Sequence, residues 1–490
     1  KTMGQGGFQE VEQMNLFKDM VCYQEEVRDP SRMAEVLNRV IEKAFRGSAP
    51  AQINVPRDFW TQVIDIELPP IVRFERQGGG KDAVDRAAKL LSEAKFPVIL
   101  SGAGVVIGDA IDDCKKLAEK LDAPVCNGYQ HNDSFPGSHP LAVGPLGYNG
   151  SKAAMELISK ADVVLALGTR LNPFSTLPGY GIDYWPKDAT IIQVDMNPDR
   201  IGLTKKVTVG ICGDAKMVAQ QILEKLSSNA GDNGREDRKN LIHQTKSAWL
   251  QTLTSLDHED DDPGTVWNKE ARERDKDRMS PRQAWRAIQA GMPEDVIISS
   301  DIGNNCAIGN AYPTFEKPRK YLAPGLFGPC GYGFPSILGA KIGCPDTPVI
   351  GFAGDGAFGI SMNEMSSCAR EEWPAITMVI FRNYQWGAEK RNSILWFDDN
   401  FVGTELDPEL SYAKVANACG LKGVIANTME ETTKAIKQSC EDQKKGITTF
   451  IEIILNQELG EPFRRDAMKK PVKVAGISKS DMRPQKSLVS

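Results

Sequence analysis

A carboxylate and an amide stand at the ends of two apolar runs late in the chain. Asp355 lies between Gly354 and Gly356, directly after Pro348–Ala353, and Asn383 follows Arg382 at the end of Ala375–Phe381. Both runs read as strands. The 25 residues between Gly356 and Arg382 make room for one helix and a return strand. A hard cation such as Mg²⁺ takes oxygen ligands, usually one or two protein carboxylates together with phosphate oxygens. Glycines on both sides of Asp355 let backbone come close to a diphosphate, and the next helix turns its N-terminus toward the same anion. These residue types at this spacing predict a Mg²⁺–diphosphate clamp.

A second set of residues invites a weaker reading. Gly102-Ala103-Gly104 with Gly108 approximates a dinucleotide fingerprint, but the last spacing is one residue too long, so a structural role for these glycines is favoured. His131, His139, His243 and His258 show no metal-ligand spacing. Ten cysteines are scattered without a CxxC pair and in apolar contexts, which predicts reduced, buried thiols in a cytoplasmic protein.

The elements that must carry the clamp follow from the rest of the chain. At 490 residues it is too long for one core and suggests about three domains. A net charge of −6 argues against a nucleic-acid partner, and no apolar run reaches the length of a membrane span. Residues 1–69 read as the end of one domain, with a helix Met33–Phe45 started by Ser31 and stopped at Gly47, and a strand Ala51–Val55. After Gly78-Gly79-Gly80, residues 82–226 alternate short apolar strands with helices, the pattern of a parallel sheet covered on both faces. Residues 227–278 are polar and read as a linker with some helix near His243–Leu253 and a solvated charge run Lys269–Arg278. A second α/β series fills 279–456, with a helix predicted at Ser361–Arg370 beyond the clamp, and 457–490 reads as a tail. The fold class expected is α/β, multi-domain, with parallel sheets flanked by helices.

The GDG at 354–356 and the Asn383 spacing resemble the binding motif of thiamine-diphosphate enzymes, and the layout resembles the acetolactate-synthase and pyruvate-decarboxylase group over nearly the whole chain. One position departs: Arg382 stands where the group has the first Asn of a pair. The resemblance implies thiamine diphosphate and Mg²⁺ as cofactors. It implies metal ligation by Asp355, Asn383 and the backbone carbonyl of Gln385, and cofactor contacts from Gly354, Gly356 and Ala357. Gly328-Pro329-Cys330 is similar to the loop that bends the cofactor, with the Gly328 carbonyl on its amino group and Cys330 beneath it. Asn304 and Asn305, after the strand Val296–Ser300, are implied as diphosphate donors; capping the next helix is the competing reading.

Five stretches, Gly4–Glu12, Ile53–Gln62, Gly128–His139, Leu171–Trp185 and Asn383–Asn392, are similar to the branch of this group that acts on sulfoacetaldehyde. That similarity implies two anionic substrates, sulfoacetaldehyde and phosphate, and release of sulfite. Lys390, Arg391 and Arg170 are candidate anion-binding cations, each equally readable as surface charge. Phe8 and Gln9 match a segment that lines the active-site channel in relatives. The group's activating glutamate is expected upstream of residue 1, which is Lys, so the chain reads as truncated at its N-terminus. A homodimer or homotetramer is implied. A pyruvate-using carboligase and a non-catalytic binding protein remain as alternatives.

Overall fold

A computed structural model describes residues 4–70, 75–256, 273–325, 327–370, 372–397 and 402–458. The chain divides into two compact units, residues 1–76 and 77–490. In the first, strand Tyr23–Glu26 pairs in parallel with Ala51–Asn54. Helix Met33–Gly47 covers them by burying Val36 and Val40. Its start differs from expectation. Asp29, not Ser31, accepts a backbone N–H, and it caps a 3₁₀ turn ahead of the helix. The stop is Ser48 in the left-handed region, one residue past Gly47.

The second unit holds two six-stranded parallel sheets. The first runs in the order Ala142–Pro145, Val125–Asn127, Pro97–Ser101, Val163–Leu167, Thr190–Asp195, Val209–Cys212. The second runs Tyr321–Leu322, Ile297–Ser300, Val349–Gly354, Thr377–Arg382, Thr449–Ile454, Lys422–Ala426. Central strands such as Val163–Leu167 and Thr377–Arg382 are buried along their full length. That is why they read as continuous apolar runs rather than alternating ones. In each sheet the chain enters near the middle, winds outward, and then crosses to the other side of its first strand. This creates a switch point where crevices open at the carboxyl ends of strands. Both sheets fall in the α/β class expected from the sequence.

Several sequence-based boundaries move. The polar stretch after residue 226 contains a 22-residue helix, Arg235–Leu256, longer than expected. Trp249 and Leu253 on it join the core that covers the second sheet. Asp275, inside the charge run expected to be solvated, is fully buried and accepts from Arg274 and Arg278. Beyond the clamp, the helix starts at Asp355 and ends at Ser361, followed by a 3₁₀ turn and the short helix Met365–Cys368. The ten cysteines are all unpaired. Cys114, Cys126, Cys306, Cys368 and Cys440 are buried, but Cys22, Cys330 and Cys344 are exposed, so burial holds for only part of the set. Among the described residues no helix is long and apolar enough to cross a membrane.

Candidate functional site

The switch point of the second sheet lies between Ile297–Ser300 and Val349–Gly354, which pair through Phe352 opposite Ser300. Asp301 leaves the first of these strands. Its carboxylate accepts from the backbone N–H groups of Ile302, Gly331 and Gly333 at 2.7–3.1 Å. The loop at 328–333 is thereby tied to the strand end, with Gly328 and Gly331 in the left-handed region.

Asp355 begins the helix on the neighbouring strand and has no solvent exposure. Its Oδ1 accepts from Gly356 N at 3.0 Å. Its Oδ2 accepts from Tyr384 N at 2.7 Å and from Arg382 Nη1 at 3.0 Å. Burial pushes the carboxyl up to about 6, with Arg382 and the two backbone donors working in the opposite direction. The sequence marked Arg382 only as a departure; the structure makes it a fully buried cation between Asp355 and Glu452.

Around Asp355 the polar inventory is incomplete. Asn383 and Asn304 are buried with neither side-chain oxygen nor nitrogen hydrogen-bonded, and Asn305 Oδ1 and Gln385 Oε1 are likewise unpartnered. Buried amides normally find partners. A Cβ built on Gly354 or on Gly303 meets nothing within 4 Å, so both glycines border open space rather than packed atoms. Gly356 differs, because a Cβ there would come 2.7 Å from the Trp386 ring. One carboxylate oxygen with spare capacity, several unsatisfied amides and a glycine-edged gap fit a cation with a diphosphate. Asn304 and Asn305 open the helix Asn304–Gly309 and Gly303 is its N-cap, so neither amide caps it.

The other sequence-predicted residues separate by position. Ala357 is buried in the first turn after Asp355. Gln385 donates through Nε2 to Gln457 O at 3.0 Å. Cys330 is exposed on the loop. Arg391 is buried, and its Nη1 donates to the Tyr148 hydroxyl at 3.3 Å. Lys390 is ion-paired with Glu405. Arg170 is exposed at the end of the first sheet's central strand. Phe8, 95% exposed, and Gln9, with positive φ, belong to the first unit.

Nothing in the sequence marks the cavity of about 440 Å³ that borders Gly303 and Gly328. Its wall includes Tyr129, Tyr148 and Phe174, whose rings contact one another at 5.1–6.4 Å between centroids. Asn132 and Asp133 hold this wall against the second sheet. Asn132 donates to Asn310 O and Pro313 O, and Asp133 accepts from Lys320 N and Tyr321 N. Partners 178–188 residues away in sequence leave no local signal.

Comparison with known proteins places this geometry. Residues 84–222 match the family model "Thiamine pyrophosphate enzyme, central domain", and residues 301–453 match "Thiamine pyrophosphate enzyme, C-terminal TPP binding domain". The chain is 78% identical over 488 residues to a probable sulfoacetaldehyde acetyltransferase of Rhizobium meliloti, covering all of this chain and 83% of that protein. It is 75% identical to a sulfoacetaldehyde acetyltransferase of Roseovarius nubinhibens, covering 99% of this chain and 80% of that one. The solved benzoylformate decarboxylase of Polynucleobacter necessarius superposes with a TM-score of 0.71 at 20% identity. That match covers 92% of this chain and 78% of the decarboxylase, a likeness of fold.

Proposed function

The chain belongs to the thiamine pyrophosphate enzymes, in the family of the sulfoacetaldehyde acetyltransferases it matches, and from that membership we propose that it converts sulfoacetaldehyde and phosphate to acetyl phosphate and sulfite. The observation that carries the reading is the group of buried, unpartnered amides beside Asp355 at the open switch point.

Asp355 Oδ1, Asn383 and the Gln385 carbonyl would hold Mg²⁺, and Asn304 and Asn305 would donate to the diphosphate. Gly354, Gly356 and Ala357 would let this anion approach the backbone. The Gly328 carbonyl would accept from the aminopyrimidine and Cys330 would support its underside. When bound, the cofactor would supply a carbanion to the aldehyde carbon and an electron sink beside it. Over the reaction the aldehyde carbon loses its proton, sulfite leaves the neighbouring carbon with its bonding pair, that carbon takes up a proton, and the acetyl group passes to phosphate. No external oxidant is required. Both substrates are anions and need fixed donors. The cavity walled by Tyr148 is their route, and Arg391, which bonds the Tyr148 hydroxyl, is the cation behind it. Lys390 contributes to the same field. An assembly of at least two chains belongs to the same reading.

The test is an assay of sulfite and acetyl phosphate against time, with pyruvate as competitor, in full-length protein. Sulfite release that depends on thiamine diphosphate and Mg²⁺ supports the reading. Acetolactate from pyruvate without sulfite from sulfoacetaldehyde would move the protein to the pyruvate-using carboligases.

A further inference from the structure

Arg382 is among the most enclosed charges of the described structure. Its side chain has no exposure. Nη1 donates to Asp355 Oδ2, and Nη2 donates to the carbonyls of Asp407 and Leu410. Nε lies 3.6 Å from Glu452 Oε1. The guanidinium carbon sits 4.2 Å from the Tyr384 ring centroid and 5.4 Å from that of Tyr412. Tyr412 in turn donates its hydroxyl to the Asp355 carbonyl at 2.9 Å. Glu452 is occupied on its other oxygen by Ser411 Oγ and Ala413 N.

Two consequences follow from counting charges and lone pairs. Two buried carboxylates share one guanidinium, so one negative charge is left over in the protein alone. A buried uncompensated charge is costly, and a divalent cation at Asp355 would offset it. The lone pairs are divided unevenly as well. A carboxylate oxygen has about two acceptor sites. Oδ2 spends both on Arg382 and Tyr384 N, whereas Oδ1 spends one on Gly356 N. A cation therefore finds one oxygen of Asp355, not two.

We infer that Arg382 is a positioning residue that holds Asp355 as a single-oxygen ligand and thereby sets the preference of the site for Mg²⁺ over larger cations. Mg²⁺ demands near-octahedral geometry with short bonds, while Ca²⁺ accepts bidentate carboxylates and more ligands. A guanidinium that occupies Oδ2 suits the first and handicaps the second. Lysine cannot replace it, because one ammonium cannot reach the carboxylate and two backbone carbonyls in a fixed fork. The inference rests on the reading of Asp355 as a metal ligand.

The experiment titrates full-length protein with Mg²⁺ and separately with Ca²⁺, at fixed thiamine diphosphate, and follows tryptophan fluorescence. Trp386, packed against Gly356, is the local reporter. Wild-type protein should favour Mg²⁺ over Ca²⁺ by at least tenfold. Arg382→Lys and Arg382→Gln should lose at least tenfold in Mg²⁺ affinity and at most about threefold in Ca²⁺ affinity, so the ratio falls by at least about threefold. A purely structural role would lower the melting temperature and leave the ratio alone. Equal losses for both ions, or no loss, would overturn the inference. If neither variant folds, the wild-type ratio decides, and absence of Mg²⁺ preference overturns it. Wild-type protein that binds neither ion with the cofactor would instead remove the metal-site reading itself.

Discussion

The two six-stranded sheets of the second unit are built on the same plan and end differently at their switch points. In the first, Gly102 and Gly104 follow the strand Pro97–Ser101 and press against Gly168 and Thr169, which follow the neighbouring strand. A Cβ on Gly104 would stand 2.7 Å from the Gly168 Cα, and one on Gly102 2.5 Å from the Gly168 carbonyl oxygen. Gly104 N donates to the Gly168 carbonyl at 2.8 Å. The crevice is filled by backbone whose polar groups are satisfied. In the second, Gly354 and Gly303 face open space, and the amides around them are unpartnered. Glycine serves close packing of the chain on itself in one place and leaves open space in the other. A topological switch point offers a place for a ligand; the polar groups left without partners support the second as the proposed site.

The largest effect that could break this contrast is removal of the only carboxylate in the clamp. Asp355→Ala should abolish Mg²⁺-dependent binding of thiamine diphosphate, by at least about a hundredfold. Calorimetric titration of full-length protein reads it, and unchanged affinity would refute the assignment. Asn383→Ala should cost about tenfold in the same titration. It should leave unfolding nearly unaffected, because its amide has no protein partner to lose.

A matched pair of alanines sharpens the comparison. Gly168 has φ of +61° and backbone of Gly104 within 2.8 Å of its Cβ position. Gly168→Ala should therefore cost about 2–4 kcal/mol in denaturant unfolding while the protein that remains folded keeps its cofactor affinity. Gly354→Ala should do the reverse: little change in unfolding, weaker cofactor binding. Two variants with the same profile would mean that the crevices do not differ as described.

The last effect concerns pH at the filled crevice. His131 follows Gly128, whose Cβ position is 3.6 Å from Gly102 Cα. Burial lowers this imidazole from 6.5 to about 4. The unfolded chain therefore binds the proton more readily than the folded one. The folded state is favoured above pH 6.5 and loses that advantage as pH falls toward 4. Because the ring keeps partial exposure, the loss is about 2 kcal/mol rather than the full amount for a wholly buried group. His131→Gln should flatten the acid dependence of urea midpoints over that window. A slope equal to wild type would count against the burial argument.

Much of this was legible before any coordinates. Strands Val349–Gly354 and Thr377–Arg382 fall on the apolar runs Pro348–Ala353 and Ala375–Phe381, because central parallel strands are apolar throughout. That Asp355 and Asn383 stand at strand ends was legible for the same reason. What was hidden depends on partners remote in the chain. Arg382 reads as the polar end of a strand, and only Asp355 and Glu452 make it a buried strut. Asp275 looked like one charge among many until Arg274 and Arg278 closed over it. The Tyr129, Tyr148 and Phe174 wall exists because Asn132 and Asp133 reach across to residues 310–321.

The central claim is that the open crevice of the second sheet is where the cofactor and its metal sit. A crystal structure of the full-length protein grown with thiamine diphosphate and Mg²⁺ tests it most directly. The account predicts one metal ion about 2.0–2.1 Å from Asp355 Oδ1 and from Asn383 Oδ1, with diphosphate density against Gly303–Asn305. Metal bound through Oδ2 with Arg382 displaced, or cofactor density at Gly102–Gly104 instead, would contradict it.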